Sequence, residues 1–179
     1  MDHVRHFRNH PPRWIAGFNA TPFALPGVEF DGHGLQINSV FALACSCGSG
    51  QHFVHDFSWI NPDNFDNVPV FLSPLCLECI ACGMRTDLID TDAHGCDAEL
   101  GHSPMATARG RGNPAVYECP KCGRQPLQAF ARFEYSGELF DGDFPEFAGR
   151  EQDLFSWFSL VGKCRRCSQL LAVADFECA

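Results

Sequence analysis

Eight of the 11 cysteines form four closely spaced pairs, and this spacing constrains the fold more than any other feature of the chain. In chain order, the pairs are Cys45 and Cys47, Cys79 and Cys82, Cys119 and Cys122, and Cys164 and Cys167. A tight turn between paired cysteines directs both sulfurs at one ion, and a glycine just after the second cysteine allows a positive φ there. Glycine follows three of the pairs, and Ser168 follows the fourth. We call each pair with its turn a knuckle and predict that the knuckles bind metal.

The sequence around the first two knuckles resembles the sequence around the last two. Residues 41–48 lead into the apolar-rich segment 51–57, and residues 115–123 lead into the similar segment 127–135. Asp90 and Asp175 lie at the same distance beyond the second knuckle of each half. A duplicated unit explains this match, and it assigns four cysteines to each ion: Cys45, Cys47, Cys79 and Cys82 to one, and Cys119, Cys122, Cys164 and Cys167 to the other.

These knuckles resemble the zinc-ribbon, rubredoxin-like class of small β folds over about Val40 to Glu177. The resemblance implies a mainly β protein of two tandem zinc ribbons, with an N-terminal extension and long loop insertions. It also implies two structural zinc ions, and it transfers no activity. We expect an extension at 1–38, a first ribbon at 39–100, a linker at 101–114 and a second ribbon at 115–179.

The alternative interpretation of the cysteines is a set of disulfides or of buried thiols that bind no metal. Disulfides require an oxidising compartment, and the first residues contain no apolar export signal, so we expect a reduced, cytoplasmic protein. Cys76 could also pair with Cys79, but Gly83 and the duplication favour Cys82, which makes Cys76 a core thiol. Cys96, in an acidic and histidine-containing segment, and Cys178, near the last residue, have no assigned role.

The charge distribution separates the possible functions. The net charge is −9, and no Lys or Arg occurs between Trp14 and Met84. Because nucleic-acid affinity depends on neutralising phosphates, an acidic surface disfavours that function. It remains an alternative through Lys163, Arg165 and Arg166 beside the last knuckle. An iron-binding redox protein is a second alternative, since four thiolates also hold iron.

Acidic and aromatic loops favour recognition of a basic protein partner, as an inhibitor, an immunity protein or an adaptor. We expect the interaction surface in the two loop insertions, at Asp141, Asp143, Phe144, Glu146, Phe147, Trp59 and Phe65. A catalytic function is not expected. Five residues could supply a general base, but no nucleophile signature, phosphate loop or dinucleotide fingerprint accompanies His52, His55, Asp56, His94 and His102.

Overall fold

A computed structural model describes residues 3–25, 36–57, 59–60, 69–70, 74–90, 112–136 and 148–177. These residues form one short helix, α1 (His3–Asn9), two 3₁₀ turns at Arg13–Ile15 and Glu151–Asp153, and eleven strands. The strands are β1 (Asn19–Pro22), β2 (Gln36–Ala44), β3 (Gln51–Asp56), β4 (Trp59–Ile60), β5 (Pro69–Val70), β6 (Leu75–Cys79), β7 (Arg85–Ile89), β8 (Ala115–Val116), β9 (Leu127–Ser136), β10 (Trp157–Cys164) and β11 (Leu170–Glu177). The prediction of a mainly β protein is confirmed.

Nine of these strands form one antiparallel sheet, which is curled like half of a barrel. Strands β4 and β5 pair with each other and close the first loop insertion, which the sequence predicts as turns. The two halves of the chain therefore do not form two successive sheets. Instead, β9 of the second half pairs with β2 and β3 of the first half. None of the helical segments that the structure describes has the length and apolarity needed to cross a bilayer.

The first knuckle of each half lies between two pieces of one interrupted strand. Strands β2 and β3 both pair with β9 on the edge opposite β10, with Ala42 across from Phe130 and Gln51 across from Gln128. The chain thus leaves the sheet after β2 and returns farther along the same edge. In the same way, β8 and β9 both pair with β3 on the edge opposite β6. The intervening residues, 45–50 and 117–126, are displaced from the sheet with their cysteines.

The second knuckle of each half is a hairpin, and the strand registers of the two halves are the same. His52 lies opposite Cys79 between β3 and β6, and Leu127 lies opposite Cys164 between β9 and β10. The hairpins β6–β7 and β10–β11 each contain one register shift, at Leu75/Cys76 and at Leu160/Val161. Both shifts fall at the same distance before the cysteine that ends the strand.

The main core lies on one face of the sheet, where alternate residues of β9 point inward. These residues are Leu127, Ala129, Ala131, Phe133 and Tyr135, and all are buried. Alternation follows from the pleat, because successive side chains of a strand point to opposite faces. A smaller cluster of Leu25, Val40 and Phe130 covers part of the other face.

The N-terminal residues belong to this core, although their charges suggest a basic tail. Phe7 of α1 is fully buried, and its ring stacks on Tyr135 with 4.1 Å between the ring centroids. Trp14 packs edge-on against Phe155 at 4.8 Å. The Arg13 guanidinium and backbone N–H both donate hydrogen bonds to the Asp153 carboxylate. Phe7, Ile15 and Phe18 thus cover the core face of the sheet.

We predict that Phe7→Ala destabilises the protein by about 3–5 kcal/mol, because it leaves a cavity against Tyr135. Phe23→Ala is the matched control, since Phe23 is 38% exposed and should cost much less. Urea unfolding of the metal-loaded protein, followed by intrinsic fluorescence, measures both changes. Equal effects of the two substitutions would show that α1 does not pack on the sheet.

Candidate metal centres

All four knuckles close with a backbone hydrogen bond of the same kind. The residue after the second cysteine donates its N–H to the carbonyl of the first cysteine, at 2.8 Å in every case, although the turn at Cys45 is one residue shorter than the other three. The residue that donates has a positive φ of 89° at Gly48, 72° at Gly83, 73° at Gly123 and 59° at Ser168. A left-handed conformation suits glycine because it has no Cβ, and it is strained for serine. The glycine pattern in the sequence therefore reflects a left-handed residue at the end of each turn.

The eight cysteines come together in the two groups that their spacing predicts. In the first centre, the Sγ atoms of Cys45 and Cys82 lie 3.6 Å apart, and those of Cys47 and Cys79 lie 3.5 Å apart. The segment between β2 and β3 provides the first two cysteines of this centre, and the β6–β7 hairpin provides the other two. A bond from the Ile80 N–H to the Gln51 carbonyl, at 3.2 Å, joins these two segments.

The second centre repeats this construction. The Sγ atoms of Cys119 and Cys167 lie 3.8 Å apart, and the four Sγ atoms of the group lie within 4.8 Å of one another. Here the excursion between β8 and β9 meets the β10–β11 hairpin. The bond from the Arg165 N–H to the Pro126 carbonyl, at 3.1 Å, is the counterpart of the bond from Ile80 to Gln51.

These distances fit a metal ion held by four thiolates. Zinc binds sulfur at about 2.3 Å, so four sulfurs at the corners of a tetrahedron lie about 3.8 Å apart. The measured separations of 3.5, 3.6 and 3.8 Å are close to this value. A disulfide would require two sulfurs at about 2.05 Å, and every described cysteine is a free thiol. Each group can therefore hold one ion.

Burial is arranged alike within both centres. The first cysteine of every knuckle is buried, at Cys45, Cys79, Cys119 and Cys164. The second cysteine is exposed in the first centre and half-buried in the second. The inner sulfurs thus attach each centre to the strands, and the outer sulfurs lie toward solvent.

Backbone N–H groups favour the thiolate form at three of the eight cysteines. The N–H of Cys47 lowers the pKa of Cys45. At Cys79, burial alone would raise the pKa, but the N–H groups of Cys82 and Ala81, together with the thiols of Cys47 and Cys82, lower the pKa to about 6. The N–H of Gln169 lowers the pKa of Cys167 to about 7, whereas burial and the neighbouring thiols raise the pKa of Cys122 to about 12. Since the thiolate is the form that binds metal, the turns prepare Cys45, Cys79 and Cys167 for it.

Cys76 belongs to neither centre, as the sequence predicts. It is half-buried on β6 opposite His55, and burial together with the nearby Asp87 carboxylate raises the pKa of its thiol to about 11. His55 Nε2 lies 2.9 Å from Glu78 Oε2, and Arg85 donates a hydrogen bond to the same carboxylate. Because its pKa is raised, the Cys76 thiol is protonated at pH 7.

His52 is a residue whose environment the sequence does not reveal. It is only 1% exposed, and neither ring nitrogen has a hydrogen-bond partner among the described residues. Burial lowers its pKa, so the imidazole is neutral at pH 7. Leu127 occupies the same register position opposite Cys164 in the second half, which the duplication in the sequence could have indicated.

The predicted interaction surface lies outside the described residues, at Asp141, Asp143, Phe144, Glu146, Phe147 and Phe65. Trp59 is described only through its backbone, in β4. Cys96 and Cys178 also lie outside the described ranges. The structure thus describes the eight predicted ligands, whereas the interaction residues stay a prediction.

The fold and the thiol geometry define a β protein with two tetracysteine metal centres on one sheet. Comparisons with protein-family models, with curated proteins and with solved structures find no match to this chain. The geometry of its own residues is therefore the basis for assigning a function.

We predict opposite effects at two equivalent turn positions. Gly83→Ala should destabilise the protein by about 1–2 kcal/mol, because alanine is strained at positive φ although its Cβ would meet nothing within 4 Å. Ser168→Gly should stabilise it by about 1 kcal/mol by relieving the same strain. Chemical unfolding at a fixed free metal concentration measures both changes, and effects of the same sign would contradict the shared turn geometry.

We predict that elemental analysis of the purified protein returns two metal ions per chain, and that strong chelation unfolds it. Cys164→Ser should remove one ion and lower the melting temperature markedly, because it deletes a buried ligand. Cys76→Ser should keep both ions. One ion in the unmodified protein, or equal effects of the two substitutions, would refute the ligand assignment.

Proposed function

We propose that this protein is a non-enzymatic binding module built on two structural zinc ions. The observation that carries this proposal is the convergence of four thiols in each of two groups. Four thiolates complete the tetrahedral coordination of one zinc ion, and they leave no position for a substrate or an activated water. Such a centre stabilises a fold. The eight ligands of the two centres are Cys45, Cys47, Cys79, Cys82, Cys119, Cys122, Cys164 and Cys167.

The two halves are further proposed to be duplicated zinc ribbons. Strand β3 pairs with β6 in the same register as β9 pairs with β10, and the hairpin β6–β7 has the same register as the hairpin β10–β11. These registers support a common origin, as does the left-handed residue that ends each of the four knuckles. In this interpretation, the halves have exchanged strands to form one sheet, since the long strand of the second half lies against both strands of the first knuckle.

Zinc rather than iron is proposed for both centres. Thiolates bind either metal in tetrahedral geometry, and the metal's role as a structural cross-link is the same. The visible spectrum separates the two, because iron bound by four thiolates is coloured and zinc is not.

A basic protein is the proposed partner, because the two insertions are acidic in sequence. Residues 59–69 and 137–147 together contain six Asp and Glu and no Lys or Arg. The metal-bound sheet would then be a rigid support for acidic loops. Carboxylates steer a basic partner toward the site, and nearby aromatic side chains supply contact area. An inhibitor, an immunity protein or an adaptor would have this organisation.

Affinity capture from lysate at physiological salt, after nuclease treatment, tests the partner. We expect a stoichiometric basic protein to bind, and we expect its binding to be lost when the second insertion is neutralised by Asp141→Asn, Asp143→Asn and Glu146→Gln. The matched control neutralises three carboxylates of another connecting segment, with Asp92→Asn, Asp97→Asn and Glu99→Gln. Equal loss from both triple variants would indicate general charge attraction, and retention in the first would exclude the proposed surface.

A further inference from the structure

The two metal centres have similar backbones, but the exposed side chains around them differ in charge. Five exposed cations surround the second centre and form what we call the basic tip: Lys121, Arg124, Lys163, Arg165 and Arg166. They come from both knuckles of that centre, so the fold brings together two groups that are about 40 residues apart in sequence. The assignment of Cys119, Cys122, Cys164 and Cys167 to one ion already predicts that the two groups meet.

The equivalent positions of the first centre carry no Lys or Arg. Each is identified by its place in the knuckle, and together they are Ser46, Ser49, Glu78, Ile80 and Ala81. The shared hairpin register supports this match, because Glu78 lies opposite Arg85 as Lys163 lies opposite Leu170. Both centres therefore fold to the same geometry with different tips. The cations are not needed for the hairpin turn, because the turn from Cys79 to Gly83 forms without them.

The cations of the basic tip make no ion pair with any residue that the structure describes. Three arginines elsewhere are paired, since Arg13 contacts Asp153 at 2.6 Å, Arg85 contacts Glu78 at 2.8 Å and Arg132 contacts Glu134 at 2.7 Å. Within the tip, only the Arg124 side chain has a described contact, with its guanidinium 5.0 Å from the centre of the Phe53 ring. The other four cations have no ion-pair partner among the described residues.

We propose that the basic tip binds the phosphate backbone of a nucleic acid, largely without regard to sequence. Arginine forks match phosphate oxygens, and affinity for a nucleic acid grows with the number of phosphates that are neutralised. An acidic peptide is the weaker candidate. Protein partners are usually anchored by buried aromatic or large apolar side chains, and Leu170 is the one large hydrophobic side chain near this tip that the structure describes as exposed.

The net charge of −9 opposes such binding but does not abolish it. At physiological ionic strength, interactions between exposed charges are largely screened beyond about 8 Å. A local cluster of cations can therefore attract phosphates even on an acidic chain. Binding by this tip would be weak, sensitive to salt, and separate from the acidic segments assigned to the protein partner above.

Fluorescence anisotropy of labelled DNA of about 20 nucleotides, single-stranded and duplex, tests this proposal on the full zinc-loaded chain. We expect the logarithm of the association constant to fall linearly with the logarithm of the salt concentration between about 50 and 200 mM. For duplex DNA, the slope should be no steeper than about −4.5, because five cations can neutralise at most five phosphates. Two duplexes of unrelated sequence should bind equally well.

The decisive variant replaces two cations of the basic tip by the equivalent residues of the first centre, with Arg165→Ile and Arg166→Ala. We expect the affinity to fall by at least about tenfold and the duplex slope to become shallower by about 1.8, since two phosphate contacts are lost. The reverse exchange, Ile80→Arg and Ala81→Arg, should create a second binding site. Arg5→Ala with Arg8→Ala removes the same charge from α1 and should leave the slope unchanged. Zinc content and circular dichroism confirm that each variant is folded.

Three results would overturn the proposal. The first is that neither DNA binds at about 50 mM salt. The second is equal weakening by the tip variant and by the α1 variant, which would mean that attraction is spread over the whole surface. The third is that a poly-glutamate peptide of similar charge binds as tightly as DNA, which would mean that the tip recognises anions in general. None of these outcomes depends on whether the acidic insertion binds a basic protein.

Discussion

The junction of four thiols between two knuckles is the constraint on which the rest of this structure depends. Each group of thiols joins the segment between two strands, such as residues 45–50, to the tip of a hairpin. The structure describes one further backbone hydrogen bond between these two segments, such as the bond from the Ile80 N–H to the Gln51 carbonyl. A bound ion converts this loose contact into a cross-link worth on the order of 10 kcal/mol in small metal-binding domains. The strands on either side can then be short, as β8 is, because the ion fixes their ends.

The pairing of β3 with β9 connects the two centres through a single sheet. In this pairing, which we call the seam, His52 lies opposite Leu127. His52 also lies opposite Cys79 of its own half, and Leu127 lies opposite Cys164 of its own half. Each knuckle is therefore one strand away from the strand that supports the other. The core depends on the same seam, because β9 supplies the inward-facing residues on which α1 and the 3₁₀ turns pack. This arrangement is a physical reason for the halves to fold as one unit.

The likeness of the two centres makes their differences informative. Apart from Ser168, whose φ the turn strains, positions that differ between equivalent knuckles are free of the demands of the turn, so their side chains can be assigned to other roles. The cations of the second tip, the apolar Ile80 and Ala81 of the first, and His52 in place of Leu127 are differences of this kind. His52 is the least favourable of them, because a buried imidazole with no hydrogen-bond partner among the described residues costs roughly 1–3 kcal/mol.

The sequence by itself determined the ligand groups and the β character, because knuckle spacing and turn glycines act within a few residues and do not depend on the distant chain. Tertiary structure decided the rest. The pairing of β9 with both β2 and β3 could not be predicted, since these strands have alternating patterns that fit many partners and registers. The burial of Phe7 depended on where the N-terminal segment meets the sheet. The basic tip likewise exists only because the fold brings Lys121 and Arg124 beside Arg165 and Arg166, and charge acts through space rather than along the chain.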